Sequence, residues 1–141
     1  MALSFATLLI VSLPMISFRT NGIYFRRLEE KDMITEIVTF DIPDGMTREE
    51  VVANYRRSAP SWRANPDLIR KNYLFDGQTR RAGGVYLWRS MDAARRARDT
   101  AWLDRVRSTY RSEPTVQYFE TPLVADNALG QTIIDGEPAE L

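Results

Sequence analysis

At 141 residues, 44% hydrophobic and 27% charged, the chain has the size and composition of one globular domain with room for a short appendage. Lys and Arg number 19, as do Asp and Glu, so there is no general attraction to nucleic acid or to an anionic membrane. There is no Cys and no His. Thiol nucleophiles, disulfides, iron-sulfur and thiolate-zinc sites, Ser-His-Asp triads and His-held haem or iron are all excluded. An enzyme drawn from this alphabet works with carboxylates, Tyr, Arg, amides, or a substrate reactive enough to need little help.

Residues 1–18 carry no charge and are largely apolar; Arg19, Arg26 and Arg27 follow. The run is short for a membrane span, is interrupted by Pro14, and lacks the basic start and Ala-x-Ala site of a signal peptide. Residues 1–32 read as an N-terminal extension outside the fold, with an anchor, a cleaved signal or packing into the domain as alternatives. Membrane contact is expected only if residues 1–18 are an anchor. Otherwise we expect a cytoplasmic protein.

The first strand is predicted over 34–42, with Ile34, Val38, Phe40 and Ile42 on one face and Thr35, Ile37, Thr39 and Asp41 on the other. Pro43, Asp44 and Gly45 close it. Thr47 and Glu50 then form a capping box, starting a helix whose buried stripe is Val51, Val52, Tyr55 and Ala59. Pro60 ends or kinks that helix, and Trp62 falls in a short turn beyond it. A second strand at 68–76 alternates Ile69, Tyr73 and Phe75 with Leu68, Arg70, Asn72 and Leu74.

A hairpin leads to Gly83, Gly84 and the third strand, where Val85 and Leu87 point one way and Tyr86 and Trp88 the other. A strand apolar on both faces needs two covers. Ser90 caps a helix with a stripe of Met91, Ala94, Ala97 and Ala101. Near Asp99 and Thr100 the stripe re-phases to Trp102, Val106 and Tyr110, which predicts a break and a second short helix. The last strand, 115–123, sets Val116 and Tyr118 against Gln117 and Phe119; residues 128–141 read as an acidic C-terminal tail.

The order β-α-β-β-α-β over residues 33–127 defines an α+β, ferredoxin-like domain with an antiparallel sheet. A domain this small gains from a second copy laid on its open sheet face.

Asn65 to Tyr73, Gly83 to Trp88 and Tyr118 to Val124 together resemble the small bacterial YdhR-like proteins, described as monooxygenases. These belong to the dimeric α/β-barrel superfamily, with the antibiotic-biosynthesis monooxygenases. The resemblance implies a homodimer with facing sheets and, in each subunit, a pocket between sheet and helices. It also implies oxygenation of an electron-rich phenol or quinol, a small aromatic or polyketide-like molecule, without metal, flavin or other cofactor. Such chemistry asks the protein for orientation, a dry pocket and help in deprotonating a phenol. The alternatives are a non-catalytic protein of the same fold that binds a small apolar ligand or another protein, or a lyase or isomerase built on it.

Trp62, Tyr73, Tyr86 and Trp88 are the candidate substrate-binding residues, with Asn72 and Arg89 as polar partners and Asn72 expected near Tyr86 and Trp88 across the hairpin. The competing reading makes them core or dimer-interface aromatics. No catalytic residue and no metal ligand is assigned. Arg95, Arg96, Arg98, Arg105 and Arg107 alternate with Asp92, Asp99 and Asp104 and read as a solvated, salt-bridged face. RNA-recognition motifs share the strand order, but Gly83 and Val85 stand where the first two stacking rings belong, so nucleic acid is not expected.

Overall fold

The computed structural model describes residues 32–140. Apart from Asp32, the N-terminal extension lies outside the described residues, and the possible anchor at residues 1–18 with it. Among the described residues no helix is long and apolar enough to cross a membrane.

The elements β1 (Ile34–Asp41), α1 (Arg48–Arg63), β2 (Leu68–Asp76), β3 (Arg81–Trp88), α2 (Met91–Arg96), α3 (Thr100–Tyr110) and β4 (Thr115–Glu120) follow the predicted order. The sheet runs β2-β3-β1-β4 and every pair is antiparallel, the ferredoxin-like arrangement. Ile34, Val38 and Phe40 of β1 and Ala82, Tyr86 and Trp88 of β3 pack with Val51, Ala93, Ala94, Trp102, Val106 and Tyr110 of the helices. One sheet face is thus the core. Ile37, Leu74, Val85 and Leu87 alternate onto the other face and are only half-buried, and Phe119 there is 50% exposed.

Two local departures from the expected pattern shape the core face. The helix does not stop at Pro60. Its ring is exposed, and the Ala64 N–H still reaches the Pro60 carbonyl at 3.1 Å, so α1 continues to Arg63 and carries Trp62 on its last turn. In β2 a bulge between Leu68 and Arg70 resets the pleat, so that Leu68, not Ile69, lies opposite Trp88 and packs on the core.

The Tyr55 hydroxyl ties helix α1 to two strands of the sheet at once. Leu74 and Gly83 face each other across β2 and β3. The Tyr55 hydroxyl donates to the Leu74 carbonyl at 2.6 Å and accepts from the Gly83 N–H at 3.1 Å. Burial and neighbouring tyrosines raise its pKa to about 12 against the opposing effect of the Gly83 bond, so it stays a neutral donor at ordinary pH. Gly83 is required by contact: a Cβ there would lie 1.9 Å from the Val38 carbonyl oxygen, at φ +155°. Tyr55→Phe would strand the Gly83 N–H, and we expect a loss of about 1–3 kcal/mol in urea unfolding.

Between α2 and α3 the chain breaks as expected, with Asp99 accepting from the Trp102 N–H at 2.7 Å as the new N-cap. The break leaves Ala101 exposed, so the predicted stripe of small residues ends one turn early. The predicted last strand also divides: β4 ends at Glu120, and Pro122, which has no N–H for the ladder, precedes β5 (Leu123–Asp126). β5 joins β6 (Gln131–Ile134) and β7 (Glu137–Ala139), which occupy the stretch read as a tail, in an antiparallel meander. On its way this segment crosses the open face, where Thr121 bonds Thr35 of β1 at 2.6 Å and Asp126 pairs with Arg70 of β2.

Candidate functional site

The register of the sheet brings three chemistries onto the core face of adjacent strands. Glu36 of β1 faces Tyr86 of β3 and Tyr118 of β4, while Lys71 of β2 faces Tyr86 from the other side. Tyr86 and Trp88 lie nearly parallel, centroids 5.8 Å apart, and Trp62 stands edge-on to both at 5.3 and 6.2 Å. The aromatic pair therefore faces the helices, which decides the question of sides that the alternation left open.

A cavity of about 550 Å³ opens between α1, α3 and this face, within the range of small-molecule sites. Trp62, Tyr73, Tyr86 and Trp102 form aromatic walls, and Tyr55, Ser58, Lys71, Gly83 and Tyr110 also line it. The Tyr73 hydroxyl is 2.9 Å from the Ser58 hydroxyl. Gly84 lets Lys71 and Tyr86 close over the strand, since a Cβ there would sit 3.2 Å from Lys71 Cε and 3.1 Å from the Tyr86 ring.

Lys71 is the lysine among the described residues; Lys31 is the other in the chain. Its Nζ lies 3.9 Å from the Tyr73 ring centroid, 4.4 Å from Trp62 and 4.6 Å from Tyr86. Burial, reinforced by the positive charge of Arg98 and only partly offset by Glu36, lowers its pKa from 10.5 to about 7. The amine is thus poised between its two forms at neutral pH. An arginine in its place would stay charged.

Behind Tyr86 lies a buried ion pair. Glu36 is fully buried; Arg98 Nε donates to its Oε1 at 2.5 Å and Arg98 Nη2 to its Oε2 at 2.7 Å. The Trp88 Nε1–H donates to the same Oε2 at 2.7 Å. The guanidinium also lies 4.4 Å from the ring centroids of Tyr86 and Trp102. Burial raises the Tyr86 phenol pKa well above its usual value, which keeps that wall neutral.

Of the six predicted residues, Trp62, Tyr73 and Tyr86 line the cavity, and Trp88 packs directly behind Tyr86. Asn72 is paired with Val85 and sits exposed on the opposite sheet face, because neighbours along a strand point apart. The expectation that it meets Tyr86 and Trp88 is corrected. Arg89 is exposed beyond the end of β3, its Nε–H bonded to the Pro66 carbonyl at 3.1 Å, away from the cavity. Arg98 is not part of a solvated face: its side chain is 7% exposed and bound to Glu36. Lys71, Glu36 and Arg98 were not foreseen. Glu36 stood between Ile34 and Val38 on the buried face, and Lys71 two residues before Tyr73, so both had a readable signal.

The fold is similar to that of SnoaB, a cofactor-independent oxygenase from Streptomyces nogalater, with TM-score 0.52 and 19% identity over 68% of this chain and 99% of that one. It is similar also to a monooxygenase from the gene ActVA-Orf6 of Streptomyces coelicolor, solved with nanaomycin D, at TM-score 0.54 and 15% identity over 70% and 95% of the two chains. A third likeness is to NE2512, a protein of unknown function from Nitrosomonas europaea, at TM-score 0.54 and 16% identity over 70% and 96%. At these identities the shared feature is the ferredoxin-like fold alone. No family model and no curated protein matches the chain.

Proposed function

We propose that this protein is a cofactor-independent monooxygenase for a small, electron-rich aromatic or polyketide-like substrate. The observation that carries the reading is the amine of Lys71, set among the rings of Trp62, Tyr73 and Tyr86 in a cavity of about 550 Å³. A phenol stacked on those rings has its hydroxyl proton within reach of a base whose pKa is near 7. The neutral amine takes that proton, leaving an ammonium beside a phenolate. The phenolate gives one electron to dioxygen, and the radical pair combines to form a C–O bond at a ring carbon bearing hydrogen. The peroxide takes the proton back from Lys71, and loss of water leaves a carbonyl. The balance is phenol plus O2 to quinone plus H2O. Four electrons come from the substrate, and one oxygen atom enters the product.

Trp88 and the Glu36–Arg98 pair hold the Tyr86 wall in place and act through it as positioning residues. We assign the activity to residues 33–127 and, within the fold, favour the YdhR-like branch on the residues that resemble it. We further propose a cytoplasmic homodimer in which a second copy covers what the C-terminal segment leaves open of the apolar face at Ile37, Leu74, Val85 and Phe119.

Oxygen uptake measured against a panel of hydroxynaphthalenes and hydroquinones tests the reaction. Uptake of one O2 per molecule consumed is expected. Turnover that persists without oxygen would make the protein a lyase or isomerase, and binding without turnover a carrier of the same ligands.

A further inference from the structure

We infer that the aromatic substrate carries a carboxylate or an equivalent anionic group, held between Arg57 of α1 and Arg105 of α3 at the solvent edge of the cavity. Two permanent cations, Arg57 and Arg105, line the cavity with the Lys71 amine, and no Asp or Glu does. The chain as a whole is electrically balanced, so this excess is local.

Both arginines are exposed and stand on the two helices that flank the opening, whereas Lys71 is part-buried on the sheet. Among the described residues the ion pairs engage Arg70, Arg96, Arg98 and Arg107, and give neither Arg57 nor Arg105 a carboxylate partner. Arg57 donates to the neutral amide oxygen of Asn54, itself a lining residue. Its charge also faces the Tyr110 hydroxyl in the cavity, where it opposes the upward push that burial gives that phenol. Asp104 neighbours Arg105 in sequence, but consecutive helical residues point apart and Asp104 does not line the cavity. A flat ring among Trp62, Tyr73 and Tyr86 with its acid toward the opening meets two guanidinium forks suited to bind it.

The inference rests on the oxygenase reading only for the word substrate; the binding stands apart from turnover. Titration calorimetry at low salt with 3-hydroxy-2-naphthoate and its methyl ester reads it directly. The acid is expected to bind about tenfold more tightly than the ester, with the difference shrinking in high salt. Arg57→Gln with Arg105→Gln should bring the acid to the ester's affinity. Arg95→Gln with Arg96→Gln, which removes the same charge from exposed positions on α2 outside the cavity, should leave the difference intact.

Equal affinity of acid and ester for the unaltered protein, no binding of the acid, or an acid affinity unchanged by loss of Arg57 and Arg105 would overturn the inference. Acid bound through the two arginines without oxygen uptake would keep it and remove the oxygenase. Oxygenation of both compounds at equal affinity would do the reverse.

Discussion

Glu36→Ala is expected to cost about 3–5 kcal/mol of folding stability, the usual loss when one partner of a buried ion pair is removed. Arg98 would remain inside, its side chain 7% exposed, with no acid to meet its two donors. The Trp88 indole N–H would lose its acceptor as well. Domains of this size hold about 5–15 kcal/mol in total, so the variant would stand near the edge of folding. The double variant Glu36→Met, Arg98→Met is expected to recover most of the loss, because it removes both charges and both desolvation costs together. Urea unfolding of the two variants checks this. A single variant within about 1 kcal/mol of the parent would mean that the pair is solvated and does not hold the Tyr86 wall.

The second large effect falls on activity. Lys71→Met should lower kcat/KM for a phenolic substrate by about 10²–10⁴, the usual worth of a positioned base. It should also abolish the rise in rate through about pH 7 that deprotonation of Lys71 produces. Stability should move the other way. The folded state holds the Lys71 proton less tightly than the unfolded chain, so between about 7 and 10.5 the unfolded state binds more protons and stability climbs with pH. Below that window the folded protein carries the full cost of a desolvated ammonium facing Arg98, eased by Glu36 and by the rings of Trp62, Tyr73 and Tyr86. Lys71→Met is therefore expected to be more stable than the parent by about 1–3 kcal/mol at low pH, with the gap closing as pH rises through the window. With Lys31 the one other lysine, carbon-13 dimethylation and NMR titration would read the Lys71 pKa directly.

The fold was legible because each strand and helix announces itself locally. The Thr47 and Glu50 capping box, the alternation in β1 and β3, and the re-phasing at Asp99 all predicted elements that form. The meander was also announced: Asp135 and Gly136, at φ 47° and 86°, make the two-residue turn that an Asp-Gly pair between extended segments favours. The acidic composition of the segment obscured it.

The site was half legible. Its aromatics could be found, but pairing Asn72 with Tyr73 in one site breaks the period of a strand, and the face holding Tyr73 belonged instead to Lys71. Arg98 had no readable place. It lies between two helices, where no periodicity applies, and its burial depends on Glu36, 62 residues away in sequence. Charge alternation on a helix describes the solvated arginines well and cannot single out the one that turns inward.

In the reaction we propose, this cavity directs dioxygen onto a bound phenol with Lys71 as base. Reaction of a hydroxynaphthalene under 18O2, followed by mass spectrometry of product and water, tests it most directly. One labelled oxygen atom is expected in the quinone and the other in water, with the initial rate of formation of both lowered about 10²–10⁴-fold in Lys71→Met. An unlabelled product, or the same initial rate of labelling from Lys71→Met, would contradict it.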